Sequence, residues 1–240
     1  MSLALLSRAI AARPAFAAGI LALALISEGV PAGAADCSDS PGPGVDWSGC
    51  RKLGRLMAGN DFHGAILAGV NFSDSDLADA DFTGANLSNA VLIRTRLTRA
   101  KLKGADLTKA ILNRANLRDA DLGAATLVKA DAARADLTNA RLVGSNLERA
   151  ELGRALLVNA DLTGALLRSA YLARADLRRA QLAKADLRDA DLHLADLRSA
   201  DLSGVDGLTP AQLADACGDE TTRLPIGQTP PASWPCDSGK

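Results

Sequence analysis

A chain of 240 residues with only 3% aromatic residues cannot build a large aromatic-centred core, and most of its 48% hydrophobic content must come from smaller side chains. Its 27 basic and 28 acidic residues leave a formal net charge of −1. That balance excludes a chain-wide polybasic nucleic-acid binder and a chain-wide polyanion, so any electrostatic function must be local.

Residues 1–34 read as a secretory signal. Arg8 and Arg13 form a basic start, Ala15 to Ile26 an apolar run, and Ala32-Gly33-Ala34 a small-residue cleavage site before Ala35. The run falls short of the roughly 20 apolar residues that span a bilayer, which favours cleavage over a retained anchor. Asp36 before Cys37 speaks against a lipid-modified terminus. The expected location is therefore exported, periplasmic or secreted, in a bacterium, with no transmembrane span after cleavage. Cys37, Cys50, Cys217 and Cys236 all follow the signal, and an even count in an exported chain favours two disulfides with three possible connectivities. The spacing of a zinc or thiol-redox motif is absent.

From Phe62 to Leu202 a large apolar residue, nearly always Leu, recurs at every fifth position, with Ala usually two residues before it. On an α-helix this step would spread the leucines around the whole surface, and in one unbroken strand it would alternate them between faces. Ala and Leu two apart do share one face of a short extended segment. Each five-residue unit is thus one straight edge followed by a corner, and edges closing into stacked coils bury every Ala and Leu in one column. Gly64, Gly84, Gly104, Gly144, Gly164 and Gly204 recur every twenty residues, as do Arg94, Arg114, Arg134, Arg154 and Arg174. Four edges therefore make one coil. The glycine corner is expected to need φ > 0, and the arginine corner a different turn that tolerates a side chain.

Units such as Ala80-Asp81-Phe82-Thr83-Gly84, Ala85-Asn86-Leu87-Ser88-Asn89 and Ala185-Asp186-Leu187-Arg188-Asp189 resemble the A-[DN]-L-x-x units of the pentapeptide repeat family. The resemblance implies an all-β fold, a right-handed quadrilateral parallel β-helix. About seven coils at a spacing of about 4.8 Å would make a rod of roughly 35 Å. The expected organisation is a signal at 1–34, an amino-terminal cap at 35–60, the β-helix at 61–205 and a carboxy-terminal cap at 206–240. Ala132 replaces Leu in the central column, where a narrowing or small void is expected. Ser75, Thr95 and Ser145 replace the inward Ala, and their hydroxyls need partners.

Exposed strand edges at both ends of the stack require caps. Trp47 is expected over the Phe-rich first coils. Thr209-Pro210-Ala211-Gln212 predicts a capping box and a short helix over 210–217, with Gly218 as its stop. Caps at opposite ends of such a rod put their cysteines beyond the roughly 7 Å Cα reach of one bond, which predicts Cys37–Cys50 and Cys217–Cys236.

No catalytic assembly is legible: His63 and His193 fall near opposite ends, and no nucleophile motif, metal motif or phosphate loop occurs. No enzyme activity, catalytic residue, metal or cofactor is expected. Some family members are dimeric rods whose acidic surfaces imitate duplex DNA and bind DNA gyrase. Here Asp61, Asp74, Asp76, Asp79 and Asp81 are followed by Arg94, Arg96, Arg99, Lys101, Lys103, Lys109, Arg114 and Arg118 with only Asp106 between, a poor DNA analogue. The favoured reading is an exported structural or protein-interaction scaffold, with which a homodimer is compatible. The alternative is a binding edge for an anionic surface or acidic protein, formed by Arg94, Arg114, Arg134, Arg154 and Arg174 with Val91, Ile93, Ile111 and Tyr171. Asp131, Glu151 and solvent screening would be the sufficient compensation if that edge has no role. Nucleic acid fits the edge poorly, because only Tyr171 could stack on a base.

Overall fold

A computed structural model describes residues 35–236; the expected signal at 1–34 lies outside them. Each five-residue unit repeats one pattern. Ala and the central Leu point inward and are buried, the residue between them forms a parallel bridge, and the last two residues make a turn. Bridges join residues twenty apart, as in Asp81 to Lys101, Asn86 to Asp106, Val91 to Ile111 and Arg96 to Asn116, giving four columns of bridges.

The backbone donors of a unit are all used, which explains its sequence. Asn86 N–H donates to Ala65 in the coil below (2.9 Å), Leu87 to Asp106 in the coil above (2.7 Å), and Asn89 to Thr108 above (2.8 Å). Ala90 N–H closes the turn onto Leu87 (3.0 Å). The remaining amide, Ser88 N–H, donates to the Asn86 side chain (3.0 Å), as Thr83 does to Asp81 and Thr108 to Asp106. Asp or Asn before the central Leu is therefore a turn acceptor, and the frequent aspartates of this position are structural.

The expected contrast between corners does not hold. Arg94, Arg114, Arg134, Arg154 and Arg174 have φ of 54°, 58°, 59°, 59° and 60°, close to the 62–66° of Gly64, Gly84 and Gly104. All corners use one turn with φ > 0 at its second central residue. An L-residue there costs about 1–2 kcal/mol relative to right-handed backbone. The coil above holds it in place, since Arg94 N–H donates to Asn113 (3.1 Å) and Arg134 N–H to Gly153 (3.0 Å).

The ladder also starts earlier than the repeat was legible. Asp46, Arg51 and Leu56 already bridge to Ile66, Asn71 and Asp76, so part of 35–60 is coil. Trp47, Lys52 and Met57 stand in register where later units carry Leu. Trp47 lies 5.6 Å from Phe62 and 6.2 Å from Phe72, centroid to centroid, and Phe62 stacks on Phe82 at 4.9 Å. Lys52 is tolerated in the column because its Nζ sits 3.5 Å over the Trp47 ring and donates to the Cys37 carbonyl at 2.7 Å. The inward hydroxyls find partners: Ser75 donates to Lys52, Thr95 to Phe72 and Ser145 to Leu142, all backbone carbonyls.

At the other end, α1 spans Pro210–Ala214, three residues shorter than expected. Thr209 and Gln212 form the capping box, and Gln212 Nε2 donates to the Leu187 and Ala190 carbonyls, covering the last coil's turn. The helix stops at Asp215 because the chain returns to the ladder: Cys217 bridges Asp196 and Arg223 bridges Asp201. Gly218 is no helix stop; the Trp234 ring occupies the space a Cβ would need there. Cys37 and Cys50 lie 5.6 Å apart at Cα in disulfide geometry, as do Cys217 and Cys236.

Candidate binding face

The twenty-residue register assembles the candidate residues on one face. Asn71, Val91, Ile111, Asp131, Glu151 and Tyr171 follow one another in a single bridge column. Ile93 leads into the corner of that face, and Arg94, Arg114, Arg134, Arg154 and Arg174 occupy the corner itself, all exposed. Val91 and Ile93 are half-buried, while Ile111 and Tyr171 stand further out.

The arginines are not electrostatically equal. Arg94 makes a paired contact with Asp74 one coil below, Nε to Oδ1 at 2.6 Å and Nη2 to Oδ2 at 2.8 Å. This hydrogen bond holds the Asp74 carboxyl below its usual range and raises Arg94. Its neighbours repeat the arrangement: Arg96 pairs with Asp76, Arg99 with Asp79 and Lys101 with Asp81, always one coil apart. Among the described residues no acidic group lies within 4.0 Å of Arg114, Arg134, Arg154 or Arg174. The two acids expected to compensate them do not reach them. Asp131 accepts from Asn113 Nδ2 (2.8 Å) and the Ala133 amide (3.1 Å), and Glu151 makes no ion pair among the described residues.

A second basic corner borders the same face and was missed in the sequence. Lys109, Lys129 and Arg149 occupy the corner just before the Ile111, Asp131 and Glu151 edges, all exposed. Arg149 approaches Glu148 only at 3.8 Å, and Lys109 and Lys129 have no ion pair among the described residues. Their twenty-residue spacing was the available signal, but it spans only three coils. Over those coils the face carries basic residues along both borders.

His63 and His193 lie in units far apart along the ladder, and His193 Nδ1 faces Asp215 at 3.4 Å. Among the described residues no group of three or more His, Cys, Asp or Glu side chains could hold a metal ion, and no helix is long and apolar enough to cross a membrane. An open cleft of about 790 Å³ beside the carboxy-terminal tail is lined by Arg174, Leu194, Arg198 and the Cys217–Cys236 pair.

The sequence model for pentapeptide repeats matches in eight copies within residues 57–206. No curated protein matches the chain. Among solved structures, HetL, a pentapeptide repeat protein involved in heterocyst differentiation regulation in the cyanobacterium Nostoc sp. strain PCC 7120, is 32% identical. That match covers 68% of this chain and 83% of HetL at a TM-score of 0.40. QnrB1, a plasmid-mediated fluoroquinolone resistance protein, is 17% identical over 71% of this chain and 92% of its own at 0.38. A pentapeptide repeat protein from the Arabidopsis thaliana thylakoid lumen is 30% identical over 49% and 68% at 0.30.

Proposed function

Because the chain belongs to the pentapeptide repeat family, we propose that it is a non-enzymatic interaction scaffold, a right-handed quadrilateral β-helix that presents its arginine corner to an anionic partner. Export, with both cysteine pairs oxidised, accords with a chain whose two pairs stand in disulfide geometry. One observation carries the binding reading. The fold aligns Arg114, Arg134, Arg154 and Arg174 on successive coils at strained backbone positions, and among the described residues none of them has a counter-charge within ion-pair distance. Arginine side chains on coils about 4.8 Å apart repel one another, and an anionic ligand relieves that repulsion.

The reading as a DNA mimic has less support. The aspartates that would imitate phosphates, Asp74, Asp76, Asp79 and Asp81, are each engaged by a basic side chain of the next coil. Retention on an anionic resin tests the proposal. Arg114, Arg134 and Arg154 changed together to Ala should elute at clearly lower salt than wild type while the melting temperature stays nearly constant. Elution identical to wild type at low ionic strength would remove the binding role from this corner.

A further inference from the structure

The two ends of the ladder are closed differently. At the carboxy-terminal end the tail takes up the edge of the last coil. Cys217 N–H donates to Ala195 (2.8 Å) and its carbonyl accepts from Leu197 (2.6 Å), and Arg223 does the same with Ala200 and Leu202 (2.9 and 2.8 Å). Leu56 begins the bridge column that Cys217 ends. Among the described residues neither the N–H nor the carbonyl of Leu56 has a partner, and the same holds for Arg51. Both residues are exposed, Leu56 at 87%. The segment 35–44 covers only part of this end, where the Cys37 carbonyl accepts from Lys52 Nζ and Gly44 N–H donates to His63 (2.9 Å). Between that segment and Leu56 lies an open recess of about 510 Å³, lined by Asp39, Pro41, Trp47, Lys52, Arg55 and Met57. Arg55 stands in the register position that Ala80 and Ala85 fill with a buried methyl, yet it is exposed. It has no ion pair among the described residues. Lys52 is nine-tenths buried, and burial together with the neighbouring Arg55 holds its ammonium below the usual range.

We propose that this end docks an extended segment of a partner protein, which adds one parallel strand beneath Leu56 and carries an acid two residues before an apolar side chain. The unpaired edge selects a peptide backbone. In the coil above, Asp76 N–H donates to the Arg55 carbonyl and the Asp76 carbonyl accepts from Met57 N–H, both at 2.8 Å. Leu56 asks the same of a strand below it, a carbonyl and an N–H from residues two apart, which a peptide supplies and a sugar or phosphate chain does not repeat. Those two residues share the inward face. In the register of the coils the first lies beneath Arg55, whose guanidinium offers a forked pair of donors to a carboxylate. The second lies beneath Met57, where an apolar side chain extends the column. Asp39 lines the recess from the segment's side and repels further acids, so one isolated acid fits where a polyanion does not. Asp36 is turned onto its own loop, accepting from Ser38.

The test is amide exchange, read by NMR on the purified, oxidised protein, with and without the end-blocked peptide Ser-Thr-Glu-Thr-Leu-Thr-Ser. In the free protein the Leu56 amide should exchange fast and that of Asp76 slowly, and saturating peptide should slow Leu56 by about tenfold or more. Lys in place of Glu in the peptide should weaken binding about tenfold, and N-methylation at its Leu should abolish it. Arg55→Ala should erase the preference for Glu over Lys. Leu56→Pro breaks no internal hydrogen bond, so it should keep the wild-type melting temperature and lose the peptide. A Leu56 amide that is already slow in the free protein overturns the proposal, and protection that grows with protein concentration assigns the edge to a second copy instead. Absence of peptide binding, or binding that survives N-methylation or Leu56→Pro, overturns it as well. The arginine corner uses other residues, so its reading stands or falls separately.

Discussion

The coil containing Arg94, Arg96, Arg99 and Lys101 and the coils that follow it along the arginine corner share one backbone and differ in charge pairing. Below these four residues stand Asp74, Asp76, Asp79 and Asp81, and each of the four finds its acid in register. Below Arg114, Arg134, Arg154 and Arg174 stands another arginine of the same corner. In these two stretches the residue twenty positions below decides whether the charge is neutralised. Two stretches of similar composition thus become a closed surface and an open one.

The largest effect should come from charge removal that treats the two stretches alike. Arg114/Arg134/Arg154→Ala should lose most retention on a polyanion and lower the slope of log affinity against log salt by roughly 2, at about 0.7 per contact for a single-stranded polymer. Arg94/Arg96/Arg99→Ala should change both far less. Equal losses would break the distinction.

A gain should follow from opening the closed stretch. Asp74→Asn with Asp79→Asn frees Arg94 and Arg99, and retention should rise above wild type by a smaller amount than the triple variant loses. Unchanged retention would mean that pairing does not control access to these side chains.

Backbone strain provides a smaller, opposite readout. Arg134→Gly relieves a left-handed residue and should stabilise by roughly 0.5–1 kcal/mol after the entropy of glycine is counted, measured by denaturant midpoint. Arg94→Gly removes the same strain together with the Asp74 contact and should gain less. Identical gains would show that the surface pair contributes nothing.

The fold was legible because the five-residue apolar period extends over most of the chain, and its twenty-residue harmonic gave the edges per coil. Three features escaped. Trp47, Lys52 and Met57 hold the first units, yet they lack the Ala and Leu signature, and a central Lys is readable only once the Trp47 ring is known to lie beneath it. The arginine corner looked unsuited to φ > 0 because propensity disfavours it, but hydrogen bonds from the adjacent coil outweigh that local cost. Composition around the corner suggested Asp131 and Glu151 as compensation, whereas Asp131 is turned into its own turn and onto Asn113. Helix α1 was placed correctly at its start, where the capping box is a local signal, and overrun at its end, where pairing of Cys217 with Asp196 decides.

The smallest effect is one of pH. Hydrogen bonds from Arg94, Arg96 and Arg99 lower the carboxyls of Asp74, Asp76 and Asp79 beneath their ordinary value. Groups lowered in the folded state contribute stability above the unfolded value of about 3.9 and lose it as pH falls through the folded values. The melting temperature of wild type should therefore drop further between pH 5 and pH 2 than that of Asp76→Asn/Asp79→Asn. Parallel curves would remove the pairs from the stability of the closed stretch.

Arginine footprinting tests the central claim most directly. Phenylglyoxal modification, followed by peptide mass analysis, should find Arg114, Arg134, Arg154 and Arg174 reactive in the free protein and protected by a bound polyanion, with Arg94, Arg96 and Arg99 slow in both states. Protection centred on Arg94 to Arg99, or spread evenly over all arginines, would contradict the assignment of the open column as the binding surface.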